Sequence, residues 1–121
     1  ARPPLIAFNI NLSTSDITIA NNIAKIIRRS SGGLEAVKAI GVMLEERNTA
    51  QVSINMTDYT KTPLYRVLEL VRAEAKRYGV NVIGTELIGL CPMQAMFDSA
   101  EYYLQIEEFD SKVQIIENHL L

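Results

Sequence analysis

Strand and helix signals follow one another along this chain in the order β-α-β-β-α-β, and two further helical segments come after them. That order predicts an α+β fold, an antiparallel sheet with its helices on one face. Two observations carry the prediction. Ala50-Gln51-Val52-Ser53-Ile54-Asn55-Met56-Thr57 alternates apolar and polar residues without a break, which is the pattern of a strand with two chemically different faces. Two separate segments, from Ile17 and from Leu64, repeat apolar residues at the spacing of a helix with one buried stripe.

Each element has its own justification. From Leu5 to Leu12, Phe8, Ile10 and Leu12 alternate with Ala7, Asn9 and Asn11, so this segment reads as the first strand. Ser13-Thr14-Ser15-Asp16 supplies side-chain oxygens for the free N–H groups at a helix start. Ile17, Ala20, Ile23, Ala24 and Ile27 form the stripe of that helix, and Gly32-Gly33 is expected to stop it. Val37 to Glu46 reads as the second strand, with Arg47-Asn48 as a tight turn into the alternating third. After the loop Asp58-Tyr59-Thr60-Lys61, Thr62 is the expected cap of a helix with Pro63 in its first position. Leu64, Val67, Leu68, Val71 and Ala75 are its stripe, and Gly79 its end.

Val80 to Leu90 contains the fourth strand. Pro92 opens a third helix, with Met93, Met96, Phe97 and Ala100 expected on one side, and Val113, Ile116 and Leu120 recur at helical spacing in the tail. The order matches the ferredoxin-like split βαββαβ unit with C-terminal helices added, in which the first and third strands lie side by side at the centre.

The 121 residues fit one domain. A net charge of −2 argues against nucleic acid as the main partner, since phosphate binding needs a clustered basic excess. The single cysteine, Cys91, excludes an internal disulfide framework and fits a reducing, cytoplasmic compartment. No apolar run approaches the ~18 residues of a membrane span. Ala1-Arg2-Pro3-Pro4 lacks the shape of a signal peptide and reads as a linker or a cut between domains.

Catalytic machinery is scarce. His119, the only histidine, sits beside the C-terminus and reads as a surface residue. With one His and one Cys there is no zinc cluster, and no metal is expected. Cys91 reads as a buried, inert thiol. Arg28 and Arg29 precede a helix-ending Gly pair that lacks the features of a phosphate loop; either arginine could meet an anionic ligand or a partner domain. Met93, Met96 and Phe97 read as core or interface material.

The stronger candidates lie on the sheet. Gln51, Ser53, Asn55 and Thr57 carry no charge, unlike an ordinary solvated strand face, so the face is either wet surface or a ligand-facing site. Asn9 and Asn11 share that polarity in the first strand. Glu86 extends the set if its parity agrees, which Gly84 and Gly89 leave open. Those glycines mark either a bulged edge strand or a close approach by something else. Asp58, just beyond the third strand, either caps a turn or orients a ligand.

Five motifs, in order, resemble one known family: Phe8-Asn9-Ile10-Asn11-Leu12, Ser30-Ser31-Gly32-Gly33-Leu34, Ala50 through Tyr59, Thr62-Pro63-Leu64, and Gly84-Thr85-Glu86-Leu87-Ile88-Gly89-Leu90-Cys91-Pro92. They are similar to the C-terminal subdomain of glutamate formimidoyltransferase, which is also the formiminotransferase part of formiminotransferase-cyclodeaminase. The resemblance runs from Leu5 to Pro92, and Ile115-Ile116-Glu117 also fits.

The resemblance implies transfer of a formimidoyl group from N-formimidoyl-L-glutamate to the co-substrate tetrahydrofolate, in histidine breakdown. It implies two facing ferredoxin-like subdomains with folate in the channel between them, and a catalytic histidine on the N-terminal one. No catalytic residue is therefore expected in this chain. Asn9, Asn11, Gln51, Ser53, Asn55, Asp58 and Glu86 are the expected substrate- and folate-binding residues, and the N-terminal subdomain the expected partner. The isolated chain is expected to be inactive, as one half of an enzyme or a stand-alone descendant with another task. The competing reading is a non-catalytic small-molecule-binding or oligomerisation module whose amide face pairs with a second copy in a homodimer. RNA binding is disfavoured, because the polar face lacks the aromatics that RNA-binding sheets of this topology use.

Overall fold

The computed structural model describes residues 3–120. Ala1, Arg2 and Leu121 lie outside the described residues, and with them the start of the expected linker and the last residue of the tail. The elements run β1 (Ile6–Leu12), α1 (Ile17–Ile27), β2 (Val37–Leu44), β3 (Thr49–Met56), α2 (Leu64–Lys76), β4 (Val82–Ile88), α3 (Met93–Leu104) and a single turn α4 (Ser111–Gln114). The strands form one antiparallel sheet in the order β2-β3-β1-β4. This is the expected ferredoxin-like arrangement, with β1 and β3 at the centre.

The helix-facing side of the sheet holds the core. Ile6, Phe8, Ile10 and Leu12 of β1 and Ala50, Val52, Ile54 and Met56 of β3 are buried there. They pack with Ala20, Ile23, Ala24 and Ile27 of α1 and Leu64, Val67, Val71 and Ala75 of α2. Leu68 is only partly buried at the edge of that stripe. Helix α1 sits over β2 and β3, and α2 over β1 and β4. The seat of α1 depends on Gly41: a Cβ there would lie 2.4 Å from Asn21 Oδ1 and 2.7 Å from the Asn21 backbone nitrogen. Any larger residue at this point of β2 would lift the helix off the sheet.

Several local expectations change. Asp16 caps α1, accepting from the Thr18 N–H at 2.9 Å, but the helix ends at Ile27. A 3-10 turn over Arg29–Ser31 intervenes before Gly32, whose φ of 86° closes the segment. Strand β2 stops at Leu44, two residues early, because Glu45–Arg47 form a 3-10 turn completed by Asn48 at φ 49°. Thr62 does not cap α2: its hydroxyl donates to the Glu35 carbonyl at 2.5 Å, and Pro63 occupies the cap position itself. In α3 the buried residue is Ala95, while Met93 and Met96 are exposed. The tail is two short turns, not one amphipathic helix, and Val113, Ile116 and Leu120 are exposed.

Helix α3 leans on α2 through aromatic contacts. Tyr65 and Tyr102 stack with centroids 4.1 Å apart, and the Tyr103 hydroxyl donates to Glu69 Oε2 at 2.7 Å. Partial burial, then the adjoining Glu69 carboxylate, pushes the Tyr103 phenol up to about 12. Raising the folded value favours the neutral phenol. Its contribution is therefore complete below the ordinary tyrosine range near pH ~10 and is lost as pH rises through about 12. In a phenolate absorbance titration of the folded chain, Tyr103 is expected to ionise last. An earlier but still raised step in Glu69→Gln would confirm the carboxylate's share beside burial; an unchanged step would remove Glu69 from the causes.

Candidate functional site

The open side of the sheet is set by register. β1 pairs with β3 so that Ala7, Asn9 and Asn11 stand opposite Asn55, Ser53 and Gln51. On its other side β1 pairs with β4, placing Asn9 opposite Glu86 and Asn11 opposite Gly84. Three cross-strand rows result: Lys38, Asn55, Ala7 and Ile88; Ile40, Ser53, Asn9 and Glu86; Val42, Gln51, Asn11 and Gly84. Five of the expected residues, Asn9, Asn11, Gln51, Ser53 and Asn55, thus share one face.

Glu86 joins them, and its uncertain parity has a simple origin. The register shifts where Asn11 faces Gly84 and Leu12 faces Val82, so Ile83 is the extra residue of a bulge. The bulge reading of the glycines therefore holds at Gly84. A Cβ added at Gly84 would meet nothing within 4 Å, which leaves space open beside Asn11.

The deepest part of this face is a hydrogen-bonded set. Asn11 is 2% exposed and Gln51 4%, although both lie on the side away from the helices. Gln51 Nε2 donates to Asn11 Oδ1 at 2.8 Å and to Glu86 Oε1 at 3.4 Å, the carboxylate reaching across β1. Asn55 and Glu86 are exposed, and Asn9 and Ser53 half-buried. The face thus descends from open amides to an amide pair that keeps only a trace of exposure. A hollow of about 450 Å³ adjoins it, lined by Glu86 and by Met43, Leu44, Glu45, Glu46 and Arg47 at the β2–β3 turn.

Asp58 stands apart. Its Oδ1 accepts from the Thr60 N–H at 3.0 Å and from the Thr60 hydroxyl at 2.5 Å. The hydroxyl bond is the first cause holding its carboxyl below the ordinary range. Its carboxylate is committed to its own turn, as in the capping reading. His119 Nε2 contacts the Val113 carbonyl in the terminal turns. Cys91 is half-buried against the core, not fully buried, with its thiol 3.4 Å from the Pro92 carbonyl oxygen. Arg29 pairs with Glu35 at 3.8 Å, and Arg28 donates to the Ser31 hydroxyl.

Sequence reasoning missed the apolar margin of the open face. Ile40 and Val42 of β2 share it, and Ile88 flanks it on β4. A signal was available: β2 is apolar at positions of both parities, as in strands covered on both faces.

The model of the formiminotransferase domain matches residues 7–120. The chain belongs to that family. Its formiminotransferase sequence is 62% identical over 121 residues to glutamate formimidoyltransferase of Streptococcus pyogenes serotype M1, covering all of this chain and 40% of the relative. It is 51% identical over 110 residues to glutamate formimidoyltransferase of Thermoplasma acidophilum, covering 91% of this chain and 36% of the relative. With formimidoyltransferase-cyclodeaminase of Gallus gallus the identity is 40% over 131 residues, covering 99% of this chain and 24% of the relative. The chain thus spans well under half the length of these formiminotransferase relatives.

Proposed function

We propose that this chain is the folate-side half of a transferase that moves a formimidoyl group from N-formimidoyl-L-glutamate to tetrahydrofolate, in histidine breakdown in the cytoplasm. The observation that carries the reading is the amide set on the open face: Asn9, Asn11, Gln51 and Asn55 with Ser53 and Glu86. Amides offer a donor and an acceptor each, which suits them to a heterocycle and an amino acid rich in both. The names of the relatives support the transferase reading.

The transfer requires the folate amine within bonding range of the formimidoyl carbon, and a proton delivered to the departing glutamate nitrogen. This half contributes position. The proton-handling histidine belongs, on this reading, to an N-terminal subdomain outside these 121 residues. The apolar margin of Ile40, Val42 and Ile88 around the amides fits a face that another sheet covers.

The test is to combine this chain with the N-terminal segment of a matching transferase and to measure folate-analogue binding by calorimetry, then formimidoyl transfer. Binding and transfer by the mixture, with no transfer by the chain alone, are expected. A stable, folded mixture that binds no folate analogue would refute the proposal. A change of oligomeric state in Asn55→Leu, with folate binding absent throughout, would favour a homodimeric module instead.

A further inference from the structure

From the Glu86–Gln51–Asn11 set we infer that Glu86 is a positioning residue: it fixes which way the buried amide pair faces, and so which edge of a ligand the pair accepts. The inference deepens the folate reading above and rests on it for the ligand.

A carboxylate can only accept hydrogen bonds. Glu86 Oε1 therefore admits Gln51 only with its NH2 group turned inward. Gln51 Nε2 has two protons, and both are used, one on Glu86 Oε1 at 3.4 Å and one on Asn11 Oδ1 at 2.8 Å. Asn11, accepting through Oδ1, is left with its own NH2 group free. One acceptor-only group on β4 thus sets two amides in series across β1 to β3.

What remains is a defined pair of unused atoms, the Gln51 Oε1 acceptor and the Asn11 Nδ2 donor. Neither has a protein partner among the described residues. Neither is sealed from solvent either, since Ser99 Oγ is the one sealed side-chain polar atom without a partner there. The room left by Gly84 lies beside Asn11. An acceptor and a donor on two amides joined by one hydrogen bond match a ligand edge that carries an N–H and a C=O. That is the lactam edge of an oxidised or reduced 4-oxopterin. A 4-aminopterin presents an amino group in place of that carbonyl and mismatches the Asn11 donor.

The intact transferase should therefore bind a 4-oxo folate analogue more tightly than its 4-amino counterpart. Two bonds of matched polarity are expected to give a ratio of about 10- to 100-fold. Glu86→Gln, whose side-chain carbonyl can still accept from Gln51, should keep that ratio. Glu86→Lys can only donate, which turns Gln51 Oε1 inward and collapses or reverses the ratio. Damage to the fold would weaken both ligands together and leave the ratio alone. Equal ratios in wild type, Glu86→Gln and Glu86→Lys would overturn the inference.

A ligand-free measurement separates this from the functional proposal. In the intact protein, the Gln51 side-chain amide resonances should move in Glu86→Lys and Glu86→Leu and stay near their wild-type positions in Glu86→Gln. If neither folate analogue binds the wild type, the functional reading fails while these shifts still establish the positioning role. If the resonances do not respond to Glu86→Lys, the positioning role itself fails.

Discussion

Ile54→Ala is expected to destabilise the folded chain by about 2–5 kcal/mol. Ile54 is fully buried in β3, where it stands between Phe8 of β1 and Ala39 of β2 under the helices. Removing its branched side chain forfeits transfer free energy and leaves a cavity that two central strands cannot close by moving. A domain of this size has a total stability of about 5–15 kcal/mol, so the loss is a large share of it. Urea unfolding would show a lower midpoint with an unchanged slope. Ile40→Ala is the control: it removes the same atoms from the exposed side of the sheet and is expected to change stability by no more than about 0.5 kcal/mol. Equal effects of the two substitutions would contradict the assignment of the core to one face.

Gln51→Leu is the substitution expected to affect ligand binding most. Leucine roughly preserves volume and removes both N–H groups that Gln51 donates. Exposed Glu86 can turn to water, but Asn11, at 2% exposure, loses its partner where water has little access. The cost in stability is expected to be about 1–3 kcal/mol, enough to measure and too little to unfold the chain. On the folate reading proposed above, affinity for a folate analogue is expected to fall by about 10- to 100-fold, since the facing acceptor disappears and Asn11 is freed to rotate. Calorimetry at a temperature well below the unfolding transition would check this. Wild-type affinity in a folded Gln51→Leu protein would remove Gln51 from the site.

The sheet and the shared face of the candidate residues were legible because β1 and β3 alternate chemistry as well as polarity. Asn9 and Asn11 against Phe8, Ile10 and Leu12 leave one parity for each face, and the split βαββαβ order makes these strands neighbours. Glu86 was not legible in the same way, since one extra residue, Ile83, breaks the period of two between it and the start of its strand. Thr62 was misread because the carbonyl it meets belongs to Glu35, 27 residues away, and local capping rules do not see such partners. Helix α3 buries Ala95 and meets α2 through Tyr102 and Tyr103, while Met93 and Met96 stay exposed. Its stripe was real, but tertiary packing chose another face. The tail failed for a related reason: segments of four residues gain too few internal hydrogen bonds to extend without a surface to pack on.

Gln51 and Asn11 meet across 40 residues of chain. Between them lie α1, β2 and the turn into β3, so no short fragment can bring the two amides together. Closing a loop of that length has an entropic cost that only the pairing of β1 with β3 over the finished core can offset. The amide pair therefore exists only once β1 and β3 have paired, and it is lost when they separate. A partly folded chain, even one with both helices formed, would lack the pair. Conversely, a ligand that grips this pair ties together two strands separated by 40 residues of chain, and it raises the stability of the whole unit by mass action.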